Sequence, residues 1–555
     1  MHRSRRAPWL LALAAAACGG GSTGPSPTPQ CGTPLEVSLP LGGSRLVDPA
    51  TENRCLRLPG GPDVHEYLVV AYAGTGSEAA NGVQGPFQLR ADRGSASLRA
   101  GATLLPALAG DGSGSLAFHH SLRRAEAALA ASPVAAMSRA AMASRGAALR
   151  QPPTVGQQEG FNVCATISCA SVTAITATAR YVGPRGAIYP DDQRTAGAQH
   201  LTQGELDALG TPFADQLHPI DTIAFGTASD IDNDGHIAIV ITDQVNDLSP
   251  DCTNGRVVGY FFGGDLLLTY PGSNRREVFF AFAPKPATAT CPAVSRTGAL
   301  RSLPPVLIHE LQHMISFNQH VLRRGRPDET PWLNEALSHF AEELGGRLIP
   351  DAQCPHSASC FAQFSTGNLQ NGYLYLENPE ASFLVAPSEN GPTLAERGSG
   401  WLFVRWLADH FAVDTLKGTE LTRALLQGTG VGAANVTNAV GVPFATLAGE
   451  WHLANWLENL PGVAQTGRLR YRPWNLRATY AANHPGMFAR PYPLVPDSTD
   501  GSYLHNGTLR AGSGRYLRVV VPAGAAGVDV AIAGQSGTAQ LEGKLAARVA
   551  VARIR

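Results

Sequence analysis

The segment that most narrows what this chain can fold into is Val306-Leu307-Ile308-His309-Glu310-Leu311-Gln312-His313-Met314-Ile315. It lies in a helical pattern expected over 304–320, and it contains H-E-x-x-H. Residues four apart on a helix share a face, with about 5–6 Å between Cβ atoms, so His309 and His313 can both reach one metal ion. Two imidazoles suit zinc, and a catalytic zinc site takes a third protein ligand and a water. Glu310, beside the first histidine, would face that water and remove its proton. By chance alone the pattern would arise in on the order of one such chain in fifty. A third ligand therefore decides the matter.

The longer metzincin pattern H-x-x-G-x-x-H does not continue from His313. Ser316 stands in place of its glycine, Gln319 in place of its last histidine, and His320 falls one residue late. Downstream, Pro331-Trp332-Leu333-Asn334-Glu335-Ala336-Leu337-Ser338-His339-Phe340-Ala341-Glu342-Glu343-Leu344 reads as an amphipathic helix, with Glu335 22 residues past His313. This segment resembles the second ligand helix of the gluzincins, whose W-L-N-E-G pattern presents its glutamate to zinc; Ala336 replaces the usual glycine. With Leu402-Phe403-Val404-Arg405-Trp406-Leu407, and looser matches at 230–235, 259–265 and 277–280, the chain resembles the hyicolysin-like neutral zinc metallopeptidases of bacteria over roughly 160–480. The resemblance implies an α/β, zincin-type domain with a β-rich upper lobe and a helical lower lobe. It implies zinc held by His309, His313 and Glu335, Glu310 as general base, and a protein or peptide substrate. Two parts of such a site are open in this sequence. Thermolysin-like enzymes place an acid four residues past the glutamate ligand to orient a zinc histidine, but here that position is His339, with Glu342 the nearest substitute. A donor for the oxyanion is also needed; Tyr373, Tyr375 and His410 are candidates, and no motif selects among them.

Lys+Arg 43 against Asp+Glu 44 leaves no global field for nucleic acid, so no nucleic-acid partner is expected. Arg3, Arg5 and Arg6 before the apolar run 8–17 read as an export signal, because that run is too short to span about 30 Å of hydrocarbon. The run ends in Ala15-Ala16-Ala17-Cys18, which resembles a bacterial lipoprotein cleavage box with Ala15 where leucine is preferred. Cys18 is the expected lipidation site, with the outer leaflet of a membrane as partner; ordinary signal cleavage is the alternative. The other eight cysteines are an even number in an exported chain, so disulfides are expected, in the sequential pairs 31–55, 164–169, 252–291 and 354–360.

Alternating apolar runs divided by Gly and Pro suggest small β-sandwiches at both ends. The expected organisation is a signal over 1–18, a tether over 19–34 and an N-terminal β domain over 35–110. An Ala/Arg-rich linker or pro-segment follows over 111–155, with the pair His119-His120 on the surface. The peptidase domain is expected over 156–490 and a C-terminal β domain over 491–555. Strands are expected at 173–182, 236–242, 257–262 and 277–282, and helices at 204–217, 331–344, 401–411 and 444–457. Asp230, Asp232 and Asp234 precede Gly235 with the spacing of a calcium loop, but Ile241 occupies the position of the closing glutamate. Either a structural calcium site completed from elsewhere, with Asp243 as one source, or an Asx-rich turn fits that stretch. The rival to an enzyme is a degenerate peptidase fold kept for surface binding or adhesion. The intact Glu310 speaks against that rival, because a binder has no need of a general base.

Overall fold

Strands from the two ends of the chain pair with each other. The computed structural model describes residues 33–93, 114–144, 150–193 and 200–555, apart from 254, 416, 465, 536, 538 and 539. One sheet runs Leu35–Glu36, Cys55–Pro59, Gly527–Ala533, Gln84–Asp92, Ser502–Arg510. The other runs Asp497–Thr499, Gly514–Val521, His65–Ala73, Ala547–Arg553, Ser44–Val47. The two separate terminal β modules expected from sequence are therefore one sandwich, built from both ends. His65–Ala73 shows why. It is antiparallel to a C-terminal strand on either side. Tyr67, Val69, Ala71 and Ala73 face the sandwich interior, while Leu68, Val70 and Tyr72 face the larger core of the molecule. A strand buried on both faces reads as one apolar run and needs a partner on each edge, which a lone N-terminal hairpin cannot supply.

A third sheet of five strands lies in the larger core. Its order is Gly259–Phe261, Val278–Ala281, Ile237–Ile241, Gly186–Pro190, Tyr181–Val182. The middle three are parallel, and Gly259–Phe261 forms an antiparallel edge. The single strand expected over 173–182 is divided. Val172–Thr178 pairs with Gln158–Cys164 in a separate ribbon, and Tyr181–Val182 joins the five-stranded sheet. Disulfides join Cys164 to Cys169, Cys252 to Cys291 and Cys354 to Cys360. Cys55 is also disulfide-bonded; its expected partner Cys31 and the expected lipidation site Cys18 lie outside the described residues.

Helix Arg296–Phe317 packs against this sheet, and Pro331–Leu348 and Cys360–Glu377 pack against that helix and each other. Leu394–Phe411 packs on those two, and Phe444–Leu457 lies against the sandwich strands His65–Ala73 and Ala547–Arg553. Together with the sheets they make the described chain mixed α/β. The first of these helices begins eight residues before the expected start, where the Ser295 hydroxyl accepts the Gly298 N–H. Pro304 and Pro305 lie inside it, since the proline ring already holds a helical φ and costs local hydrogen bonds rather than the whole helix. Trp401, Trp406 and Trp451 are fully buried between the helices. No helix among the described residues is long and apolar enough to cross a membrane.

Candidate metal centre

Two helices bring three candidate ligand side chains to one point. His309 and His313 lie one turn apart on Arg296–Phe317, and their Nε2 atoms are 3.1 Å apart. Glu335, on the second turn of Pro331–Leu348, places Oε2 3.5 Å from His309 Nε2 and Oε1 3.7 Å from His313 Nε2. Tetrahedral zinc with bonds of about 2.0–2.2 Å holds its ligand atoms about 3.3–3.5 Å apart, so this triangle fits such an ion closely. The polar inventory agrees. Glu335 is 1% exposed, yet neither of its oxygens accepts a hydrogen bond. A buried carboxylate facing two ring nitrogens, with only the Arg397 guanidinium beside it as a fixed cation, could accept a metal ion.

The outer ring nitrogens are held. His309 Nδ1 lies 2.7 Å from Glu342 Oε1, and His313 Nδ1 lies 3.1 Å from Asn334 Oδ1. With Nδ1 donating to these oxygens, each Nε2 lone pair is turned toward the shared point. Glu342, the substitute weighed for the displaced acid, thus occupies the orienting position, and His339 Nδ1 stands 3.2 Å from the same oxygen. Burial works against a charge on His309, but the nearby carboxylates of Glu335 and Glu342 outweigh this and lift the imidazole to about 10. Burial opposes the Glu335 charge too, and Arg397 with the two histidines more than offsets it, holding the carboxyl well below its usual range. Burial and Arg123 push His313 the other way, well below its usual range, so the favoured positive charge lies on the His309 ring alone. A divalent ion would take the place of that proton.

Glu310 is 3% exposed, and its Oε2 accepts the Phe261 N–H at 2.9 Å from the edge strand. Burial pushes its carboxyl above its ordinary value, against the pull of His309, Arg123 and the Phe261 N–H. A cavity of ≈ 580 Å³ opens beside it, lined among others by His119, Gly259, His309, Glu342 and Arg397.

The helix Leu394–Phe411 packs closely against Pro331–Leu348 because it carries Gly398-Ser399-Gly400 on its first turns. A Cβ at Gly400 would lie 2.9 Å from the Ala336 Cβ, and one at Gly398 would lie 2.1 Å from the Asn371 carbonyl oxygen. Gly400 thus makes room for Ala336, the residue that stands where the gluzincin pattern has glycine. The same approach brings Arg397 Nη1 to 2.9 Å from Glu335 Oε2. Deeper in, Glu343 is fully buried and accepts from the indole N–H groups of Trp401 and Trp474, which ties these helices to the following loop.

The stretch expected as a linker or pro-segment contains the helix Gly114–Ala130, and it is packed against the edge strand. Arg123 donates to the Phe261 carbonyl at 2.8 Å and pairs with Glu126 at 3.1 Å, and Glu126 accepts the Gly263 N–H at 2.6 Å. Both charged residues are buried. His119 and His120 are accordingly not a surface pair. His119 lines the cavity, and His120 Nε2 lies 3.1 Å from the Pro392 carbonyl oxygen.

The three oxyanion candidates lie elsewhere. The Tyr373 hydroxyl accepts the Arg490 N–H and its ring stacks on Phe488. Tyr375 stacks on Trp451 in the core, and His410 Nε2 bonds to the Arg470 carbonyl. None of them lines the cavity, because each is drawn into packing by the helix face that carries it. In the acidic loop, Asp230 and Asp232 converge with Glu277, the residue just before the strand Val278–Ala281 that pairs with Ile237–Ile241. Asp234 instead accepts the His236 N–H at 2.8 Å, and Asp243 lies 3.8 Å from Lys285, so neither belongs to that group.

Residues that pattern reading passed over are Arg397, Asn334 as the partner of His313, Arg123 and Glu277. The small-residue run 398–400 and the charged positions bordering apolar runs were their signals.

No protein-family model matches the chain. It is 30% identical over 146 residues to the neutral metalloprotease ShpI of Staphylococcus hyicus. The match covers 26% of this chain and 32% of that protein, about a third of the relative's length. The chain is thus a distant relative of a metalloprotease.

Proposed function

We propose that this chain is an exported zinc metalloendopeptidase of gluzincin type, with His309, His313 and Glu335 as metal ligands. The observation that carries the reading is the buried Glu335, brought from a separate helix to within 3.7 Å of both histidine Nε2 atoms with no hydrogen bond of its own. Zinc, when bound there, supplies Lewis acidity to the substrate carbonyl and lowers the pKa of water. The protein's own groups do the rest. The Phe261 N–H fixes one oxygen of Glu310, which leaves the other to take a proton from the attacking water and pass it to the departing amine. Hydrogen bonding alternates along the edge strand: Phe261 turns its N–H and C=O away from the sheet, and so does Gly259, beside the cavity. An extended peptide can pair with Gly259 there, so that the strand positions the substrate backbone. Cleavage of casein by the full chain, lost with a zinc chelator and restored by zinc, tests the reading. A protein that holds zinc and cleaves nothing would favour a binding or adhesion role.

Export and anchoring belong to the same proposal. The basic n-region, the short apolar run and the cysteine before a Gly-rich tether support lipidation at Cys18. Expressed in a bacterium, the chain should incorporate labelled palmitate and lose the label in Cys18→Ser. Unlabelled wild-type protein free in the medium would refute the anchor.

A further inference from the structure

Arg397 is 7% exposed, and only one of its three guanidinium nitrogens is engaged: Nη1, 2.9 Å from Glu335 Oε2. Nε and Nη2 are buried and donate to nothing. Buried donors without an acceptor are rare in native proteins, and each calls for a partner that the protein chain does not itself supply. Balancing the Glu335 charge accounts for Nη1 alone. The residue lines the cavity together with His309 and Glu310. Because the guanidinium is a rigid planar fork, the two free N–H groups lie next to the ligand triangle, with Glu310 also on the cavity wall.

We propose that Arg397 is a catalytic residue, whose Nε and Nη2 donate hydrogen bonds to the oxygen of the scissile carbonyl as that oxygen gains negative charge. The inference rests on the peptidase reading above, and it fills the place for which Tyr373, Tyr375 and His410 were candidates. As Glu310 takes the proton of the attacking water, the carbonyl π pair moves onto oxygen. The two N–H groups stabilise it there until the C–N bond breaks and the pair returns. Donors already fixed in a buried site are worth most at that moment, because they need no reorganisation.

Arg397→Ala and Arg397→Lys in the full chain test the assignment. The alanine variant should lose about 10²–10³-fold in kcat, the loss typical of one oxyanion donor. KM should stay within about threefold, since the interaction is absent from the ground state. Zinc content should be unchanged, and millimolar guanidinium should restore part of the activity. Calorimetry should show affinity for a phosphonate peptide falling in step with kcat, while affinity for the cleavage products holds. The lysine variant keeps the charge beside Glu335 but lacks the fork, so it should recover less than about tenfold. Loss of zinc from both variants, or kcat unchanged in the alanine variant, would overturn the assignment. If Glu310→Gln is inactive while Arg397→Ala is fully active, only the role of Arg397 fails. If the zinc-loaded wild-type chain itself cleaves no peptide, the peptidase reading fails.

Discussion

Glu310→Gln is expected to stop turnover while leaving the metal in place. Glutamine keeps the length of the side chain, and its amide oxygen can still accept the Phe261 N–H that now holds Oε2 at 2.9 Å. The helix and the three ligands are untouched, so zinc content should match the wild type. What disappears is the base. General acid–base catalysis is worth about 10²–10⁴-fold, and kcat should fall by at least that much. A variant that retains more than about a tenth of wild-type turnover would show that another group takes the proton.

Glu335→Ala should act on the metal first and on activity as a consequence. It removes the one anionic member of the ligand set and leaves two histidines 3.1 Å apart, with Arg397 no longer balanced. Both changes weaken binding of a cation: a ligand is lost, and an unpaired positive charge remains beside the site. Zinc should pass to a modest chelator that does not strip the wild type, and turnover should vanish with it. Glu335→Asp keeps the charge but withdraws the carboxylate by one methylene, so it should retain zinc more weakly than the wild type. If Glu335→Ala keeps both zinc and turnover, the third ligand must be sought elsewhere, with His320 and His339 the first candidates. His339 already lies 3.2 Å from Glu342 beside His309, whereas His320 faces Glu329 at 3.9 Å.

How much of this was legible in the sequence depended on how local each feature is. The approach of His309 to His313 was readable because one helix carries both, and four residues bring them to one face. Glu335 required the relative placement of two helices, and it was found through the pattern of the segment around it rather than through spacing. Arg397 was hidden. It reaches the site only because Gly398 and Gly400 let its helix approach two others, a tertiary event for which the sequence shows only three small residues in a row. The sandwich was misread for a related reason. The β character of both ends was visible from apolar runs divided by Gly and Pro, but the pairing of His65–Ala73 with Gly514–Val521 spans most of the chain and leaves no local mark. The acidic loop is intermediate. The turn itself was readable from Asp, Asn and Gly, whereas the third carboxylate, Glu277, comes from a neighbouring strand, not from Asp234 or Asp243.

The helix Gly114–Ala130 connects fold and site most directly. Its composition suggests a linker or a pro-segment, yet Arg123 and Glu126 are buried against the edge strand and satisfy the Phe261 carbonyl and the Gly263 N–H. The strand that positions Glu310 is thereby fixed from outside the sheet as well as within it. A fragment beginning after this helix would lose both contacts, so the proposed activity is expected of the full chain and not of that fragment.

The most direct test of the central claim is a chelator titration of the full chain that follows zinc content and casein cleavage together. The account predicts about one zinc per chain at the start, set by a single three-ligand site. Cleavage should fall in proportion to the zinc removed and return when zinc is added back. Cleavage that persists after the zinc is gone, or a chain that binds no zinc at neutral pH, would contradict it.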